Sequence, residues 1–235
     1  MRQHNIDMGR DALFALLSQH QLLVRKRRSR KPVTTNSYHW YKKYKNLIRE
    51  FIPTAPNQLW VSDITYITLN NSFAYLSLIT DAYSRKIVGF YLSKTLEAKG
   101  SIKALQMALQ YNPTLKNLIH HSDRGIQYCC NDYVSILNKK QIKISMTENG
   151  DPLENAIAER VNGILKDELL QEKYKHFEEA QDAVAVAVSV YNHQRPHASI
   201  SYKMPQEVHF SKESVERKWK SYYINYKKQK CRNIK

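Results

Sequence analysis

Between residues 58 and 93 apolar and β-branched positions crowd into three runs separated by short polar breaks. Gln58–Leu69, Phe73–Thr80 and Lys86–Ser93 are rich in Ile, Val, Tyr, Thr and Leu, and the breaks carry turn chemistry, Asn70-Asn71 and Asp81-Ala82-Tyr83-Ser84. That pattern predicts an antiparallel three-strand meander. The period then changes: Ile102, Leu105 and Leu109 fall on one face of a helix. Leu118–His121 reads as a short strand entering Ser122-Asp123-Arg124-Gly125, followed by a helix over about 126–138 and a strand over Ile142–Met146. Residues 154–171, rich in Glu, Lys, Leu and Ala, read as a further helix. In Ala183–Val188 the valines alternate at period two, but the charged lead-in Glu178-Glu179-Ala180-Gln181-Asp182 favours helix, with the Ala/Val stretch packed in the core. The order βββ-α-β-α-β-α-α predicts an α/β fold, a mixed five-stranded sheet with helices packed on it.

Ahead of the meander, Gly9–Leu17 reads as a short helix, then Leu22-Leu23-Val24 and a basic run, Arg25-Lys26-Arg27-Arg28-Ser29-Arg30-Lys31. Helix, turn and basic arm are compatible with half of a DNA-binding helical module. From Thr34-Thr35-Asn36-Ser37 to Pro53 and Pro56 the chain reads as a linker. The expected division is 1–52 as a partial helical DNA-binding segment with its basic linker, 53–210 as the core, and 211–235 as a basic tail.

Charge supports that division. Residues 1–50 carry 12 Lys/Arg against 3 Asp/Glu and residues 211–235 carry 9 against 2, whereas the middle holds 16 of each. The excess of the whole chain, +16, therefore lies in the flanks. Such flanks suit a polyanion, because each cation near a phosphate releases condensed counterions; a solvated surface or a patch for anionic lipid are the alternatives. Tyrosines interleaved with the flanking charges can stack or hydrogen-bond, which favours nucleic acid.

Cys129, Cys130 and Cys231 offer neither a paired framework nor metal-site spacing, and the adjacent pair reads as helix-buried thiols in a reducing compartment. No leader-like segment opens the chain and no apolar run reaches the roughly 18–20 residues of a membrane span. The expected location is cytoplasmic, at the nucleoid, with no membrane partner.

Three carboxylates stand out. Asp63 sits inside the first strand, in Trp60-Val61-Ser62-Asp63-Ile64-Thr65-Tyr66, where an unpaired buried charge is costly. Asp123 lies where the strand Leu118–His121 ends, a usual place for a site on a sheet. Glu159 lies on the helix that starts near Glu154. Hard oxygen donors from three separate elements suit Mg²⁺ or Mn²⁺. Lys166 follows Glu159 by seven residues; at ~100° each these make ~700°, so the two share a helix face two turns apart. The plainer alternatives are local pairing for Asp63, a simple Asp-Arg-Gly turn for Asp123 and a solvated stripe for Glu159 and Lys166. His120 and His121, consecutive in a strand, point to opposite faces and make a poor metal pair. Asp81 sits in a turn-like neighbourhood with Ser84 and Arg85.

The run Gln58-Leu59-Trp60-Val61-Ser62-Asp63-Ile64-Thr65-Tyr66-Ile67 resembles the first catalytic block of bacterial insertion-sequence transposases of the OrfB group, relatives of retroviral integrases. His121-Ser122-Asp123-Arg124-Gly125 with Gln127-Tyr128 is similar to their second block, and Glu154-Asn155-Ala156, Glu159 and Leu165-Lys166 to their third. Between Asp123 and Glu159 lie 35 residues, the spacing for which that group is known. Tyr191-Asn192, Arg195-Pro196-His197 and Pro205 resemble its tail. The likeness runs from about Gly9 to Pro205. Two departures stand out: Glu154 replaces an Asp that many relatives carry, and the chain opens within what looks like a helical DNA-binding segment, so another reading frame supplies the rest or this copy is truncated.

The resemblance implies an RNase H-like, integrase-type catalytic core over 53–210 and a DDE assignment, with Asp63, Asp123 and Glu159 as catalytic and metal-holding residues. It implies a transposase that cuts and transfers DNA strands at element ends with two Mg²⁺ ions, Mn²⁺ serving as substitute. Expected DNA contacts are Lys166, Asn155, Arg124, Arg195, Arg25, Lys26, Arg27 and Arg28. Expected partners are element-end and target DNA, further copies of the chain in a synaptic complex, and a helix-turn-helix protein from an upstream frame. A non-catalytic DNA-binding remnant and an RNase H-like nuclease without transfer activity are the competing readings.

Overall fold

The computed structural model describes residues 8–23, 38–113, 115–148, 155–211 and 213. The chain divides into two compact units, residues 1–30 and 31–235. In the first, α1 (Arg10–Gln19) follows Gly9, carries Asp11 in its first turn and buries none of its residues. The predicted basic run, Arg25–Lys31, lies outside the described residues.

The second unit is built on one sheet. The meander forms as β1 (Leu59–Thr68), β2 (Phe73–Asp81) and β3 (Ile87–Ser93), its strands antiparallel as the turn residues require. After α2 (Ala98–Tyr111) the chain returns to the other side of β1 as β4 (Ile119–Ser122), now parallel. Next come α3 (Ile126–Cys129), α4 (Asn131–Lys139) and β5 (Lys143–Met146), which pairs in parallel with β4. The strand order is β3-β2-β1-β4-β5, so β1 is central. α5 (Ala156–Ile164) and a π turn (Leu165–Leu169) follow, then α6 (Phe177–His193), a 3-10 turn (Ala198–Ile200) and α7 (Pro205–Phe210).

Alternation along β1 divides the core in two. Trp60 and Ile64 meet Ala104, Leu105 and Ala108 of α2 and Tyr133 and Leu137 of α4 on one face. Ile67 meets Val161, Ile164 and Leu165, together with Val184, Val188 and Tyr191 of α6, on the other. The α2 packing is close: a Cβ on Gly89 of β3 would lie 2.3 Å from the Ala104 carbonyl oxygen.

Four expectations are revised in detail. The single helix over 126–138 is two, because Cys130 adopts an extended conformation (φ −64°, ψ 150°). Of the paired thiols only Cys129 is helix-buried, with burial pushing its thiol up to about 11. The helix expected over 154–171 is α from Ala156 to Ile164 and then widens into the π turn. In the Ala/Val stretch Val184, Ala187 and Val188 are core, but Val186 is 63% exposed, since two residues on a helix are ~200° apart.

From Tyr41 to Phe51 the expected linker is a strap packed against the rest of the second unit. Met146 N donates to Lys45 O, Leu47 N to Ser145 Oγ (2.9 Å) and Asn46 N to a Glu148 carboxylate oxygen (3.0 Å), which covers the β5 edge. Arg49 pairs with Glu148 at 2.6 Å. Tyr41 and Tyr44 pack on the α2–α4 core, and Ile48 and Phe51 on a smaller cluster around Leu59, Val61 and Ile119.

Candidate active site

The parallel pairing of β1 and β4 sets the site. Val61 is the partner of His121, so Asp63 lies two residues further along β1, and Asp123 follows directly after the end of β4. Asp63 is mid-strand, opposite Leu78 of β2. Its Oδ1 accepts from Ile64 N at 2.9 Å and its Oδ2 from Asn162 Nδ2 at 2.7 Å. Asn162 is three residues beyond Glu159 on α5; Asn162 is buried against Asp63, whereas Glu159 is exposed and acts on Asp63 through its charge. Asp123 Oδ1 accepts from Gly125 N at 2.9 Å. A Cβ on Gly125 would come within 3.0 Å of that oxygen and of Gln127 Oε1, so the turn is tight.

The three carboxylates act on one another. Asp63 is raised from 3.8 to about 7, first by burial, then by the charge of Asp123 and, more weakly, of Glu159; the hydrogen bonds from Ile64 and Asn162 oppose this. Asp63 and Asp123 also help to push up the Tyr128 hydroxyl, though its own burial is the larger cause. Such mutual repulsion is what a divalent cation relieves, and an all-oxygen set of donors matches Mg²⁺ or Mn²⁺. Among the described residues no group of three acidic, His or Cys side chains is placed to hold a metal ion. The donor types fit a divalent ion, but the three acids are linked here only through the repulsion that Asp123 and Glu159 exert on Asp63.

The surroundings hold the frame of the site. Asn155, at the N-cap of α5, donates from Nδ2 to Ser62 O at 3.0 Å and so ties the start of the Glu159 helix to β1 beside Asp63. Beneath, His120 Nε2 lies 2.7 Å from Ser62 Oγ and 2.9 Å from Tyr133 OH, and burial holds the imidazole neutral, down to about 3. His121 shares a hydrogen bond with Ser145 Oγ at 2.8 Å, so the two histidines serve separate networks. The Arg124 carbonyl bonds with His39 Nε2 at 2.9 Å, and Arg124 Nε is buried with no hydrogen bond among the described residues.

The other predicted residues fall elsewhere. Lys166, in the π turn, places its ammonium 3.5 Å from the centroid of the Tyr66 ring. Arg195 forms a two-pronged pair with Glu168, Nε at 2.7 Å and Nη2 at 2.9 Å, which anchors the end of α6 to the π turn. Asn192 clamps both the N–H and the C=O of Ile87, and His197 seats the 3-10 turn through Ser199, its imidazole held at about 4 by burial and by Arg85, Arg195 and Arg160. Asp81 is fully buried: its oxygens accept from Ser84 N, Ser84 Oγ and Asn57 N at 2.7–2.8 Å. Ser84 Oγ also meets His209 Nδ1 at 2.9 Å, which fastens α7 to the β2–β3 turn. Arg25, Lys26, Arg27 and Arg28 lie outside the described residues. Sequence reasoning missed Asn162, which only the seating of α5 against β1 brings to Asp63.

A sheet of this order with acidic residues on its central strand, at the end of the adjacent parallel strand and on the following helix defines an RNase H-like nucleic-acid enzyme core. Family models described as "Integrase core domain" match residues 53–152 and 140–205. Solved structures share the fold at 20% identity. One is the magnesium-bound catalytic core of human T-cell lymphotropic virus 2 integrase (TM-score 0.53, 66% of this chain and 97% of that one). Another is a chain of a simian T-cell lymphotropic virus intasome in complex with the PP2A regulatory subunit B56 gamma (TM-score 0.59, 93% and 73%). The 31 kDa protein of insertion element IS600 of Shigella sonnei is 36% identical over 208 residues, 87% of this chain and 76% of that protein. The transposase of IS904 of Lactococcus lactis is 34% identical over 167 residues (69% and 65%), and that of IS629 of Shigella sonnei 32% over 160 (68% and 54%). The chain belongs to the integrase-core family, among the bacterial insertion-sequence transposases of OrfB type, and its catalytic domain is that of a DDE-type polynucleotidyl transferase. It spans about three-quarters of the first of these relatives and less than two-thirds of the other two.

Proposed function

We propose that this chain cuts and rejoins DNA at the ends of an insertion element, with Asp63, Asp123 and Glu159 as its catalytic carboxylates. The observation that carries the reading is the raised Asp63 carboxyl, half-buried in the central strand, held by Asn162 of α5 and repelled by the other two acids. Divalent ions, Mg²⁺ in this reading, would supply there the chemistry that activates the attacking water or 3′-hydroxyl and stabilises the leaving 3′-oxygen. Asp63, Asp123 and Glu159 would hold them. Asn162 orients the Asp63 carboxylate, Asn155 sets the Glu159 helix, and neither needs to meet DNA to matter. Lys166, Arg124 and Arg195 are cations within the same unit that can meet phosphate, positioning the strand without reading its sequence. No covalent protein nucleophile is required, so cleavage and joining are one in-line displacement with different attackers.

Element ends and target are the expected DNA substrates, with the basic flanks, including Arg25–Arg28, adding sequence-independent affinity. The intasome likeness supports action as a multimer that brings two ends together, and an upstream-frame helix-turn-helix protein would supply end recognition. No described helix is long and apolar enough to cross a membrane. The proposed place of work is nucleoid DNA in the cytoplasm.

The test is strand transfer by purified protein on element-end DNA with Mg²⁺. Asp63→Asn, Asp123→Asn and Glu159→Gln should each lose cleavage and joining by about a thousandfold or more while still shifting DNA. Wild-type protein that cuts without joining is a nuclease, and one that only shifts DNA is a binding remnant; either result removes the proposal.

A further inference from the structure

Trp40 is a large aromatic side chain left in solvent: its residue is 83% exposed. It is also firmly mounted. One face of the indole stacks on the Tyr41 ring, centroids 4.3 Å apart and planes 25° from parallel, and Tyr41 is itself packed against the α2–α4 core. The preceding residue, His39, meets the Tyr41 ring edge at 5.7 Å and bonds to the Arg124 carbonyl, next to Asp123. Following residues fix the strap to β5 through Lys45, Asn46, Leu47 and Arg49. The side chain is thus a rigid aromatic plate within a few residues of the catalytic turn. Its neighbourhood is cationic: Lys42 and Lys43 follow it in sequence, and Lys43 and Arg124 both act on the same thiol, Cys129.

We infer that the Trp40–Tyr41 stack is a platform for an unpaired DNA base beside the scissile phosphate. This rests on the DNA reading above and adds a ligand to it. Indole offers a π face to any base without regard to sequence, whereas bases inside a duplex have both faces covered. Only a frayed, flipped or overhanging nucleotide can use the plate, and strand cleavage at an element end creates such nucleotides. Lys42, Lys43 and Arg124 would hold the adjoining phosphates. Pre-stacking on Tyr41 and the fixed strap mean that little side-chain freedom is lost on binding.

The experiment compares the full chain with Trp40→Leu and Trp40→Phe, both apolar and only one aromatic. Binding is measured in chelator, to prevent cutting, against a short blunt duplex and the same duplex with a few unpaired nucleotides at one end. Wild type should prefer the unpaired probe by at least about fivefold, Trp40→Phe should keep most of that ratio, and Trp40→Leu should bring it close to one. Equal binding of the two probes by wild type, or an unchanged ratio in Trp40→Leu, overturns the platform while leaving DNA binding intact. Loss of self-association in Trp40→Leu with the ratio unchanged would instead assign the indole to a second copy of the chain. Failure of wild type to bind either probe removes the DNA reading itself.

Discussion

Asp63 carries an electrostatic tension that can be measured. Between its ordinary value of 3.8 and about 7 the folded protein keeps a proton on this carboxyl that the unfolded chain has already released. Stability from that proton is present below this window and is lost as pH rises through it. In metal-free buffer Asp63→Asn should therefore melt progressively higher than wild type from pH ~4 to pH ~7, with a constant gap above. Manganese added at the upper end should raise the wild-type melting temperature and leave the variant unmoved, because an ion that binds only the folded state stabilises it. A gap independent of pH, with no response to manganese, would contradict the account of this carboxyl. The residues that matter beside it differ in how visible they are. Asp63 is legible because a charge inside a run of β-formers demands a reason. Asn162 is not, because an amide on an amphipathic helix usually faces water; only the register of α5 against β1 turns it to Asp63.

Among the elements, β3 and α2 are in closest contact at Gly89. A methyl group there would overlap the Ala104 carbonyl and approach Ala108 Cβ to 2.8 Å, so α2 must lift from the sheet. Gly89→Ala should cost about 2 kcal/mol and lower the melting temperature by about 4–8 °C, read by calorimetry. An unchanged melting temperature would show that the helix seats more loosely than described. Strands were read from the sequence with boundaries close to those found, since β-branched runs ended by Asn-Asn or Asp-Ala-Tyr-Ser have few other folds. The break at Cys130 and the π turn at Leu165–Leu169 were not, for a common reason. Neither carries Pro or Gly. The π turn holds Glu168, whose two-pronged bond is to Arg195, 27 residues away in the loop after α6. A tertiary contact of that kind leaves no local trace.

At the scale of the whole molecule, the strap makes the core larger than its sequence pattern suggests. Pro, Asn, Ser and Thr between residues 34 and 56 read as a connector, yet Tyr41, Tyr44, Ile48 and Phe51 add apolar cover and the backbone of Lys45–Leu47 caps an exposed strand edge. Uncapped edges invite pairing with other chains. A chain beginning at residue 53 should thus melt at least about 5 °C below one beginning at residue 38, and should aggregate on standing. Equal stability would return the strap to the status of a tether.

The topology also has a temporal side. β1 stands between β2, which follows it at once, and β4, which arrives some fifty residues later, and the last acid comes later still, on α5. A polypeptide still on the ribosome can close the β1–β2–β3 meander early, since its contacts are local. On the proposed site, until β4 has slotted in beside β1 and α5 has docked, such a nascent chain owns one acid of the set, then two. An unfinished copy would then lack the means to break the chromosome beside which it is made.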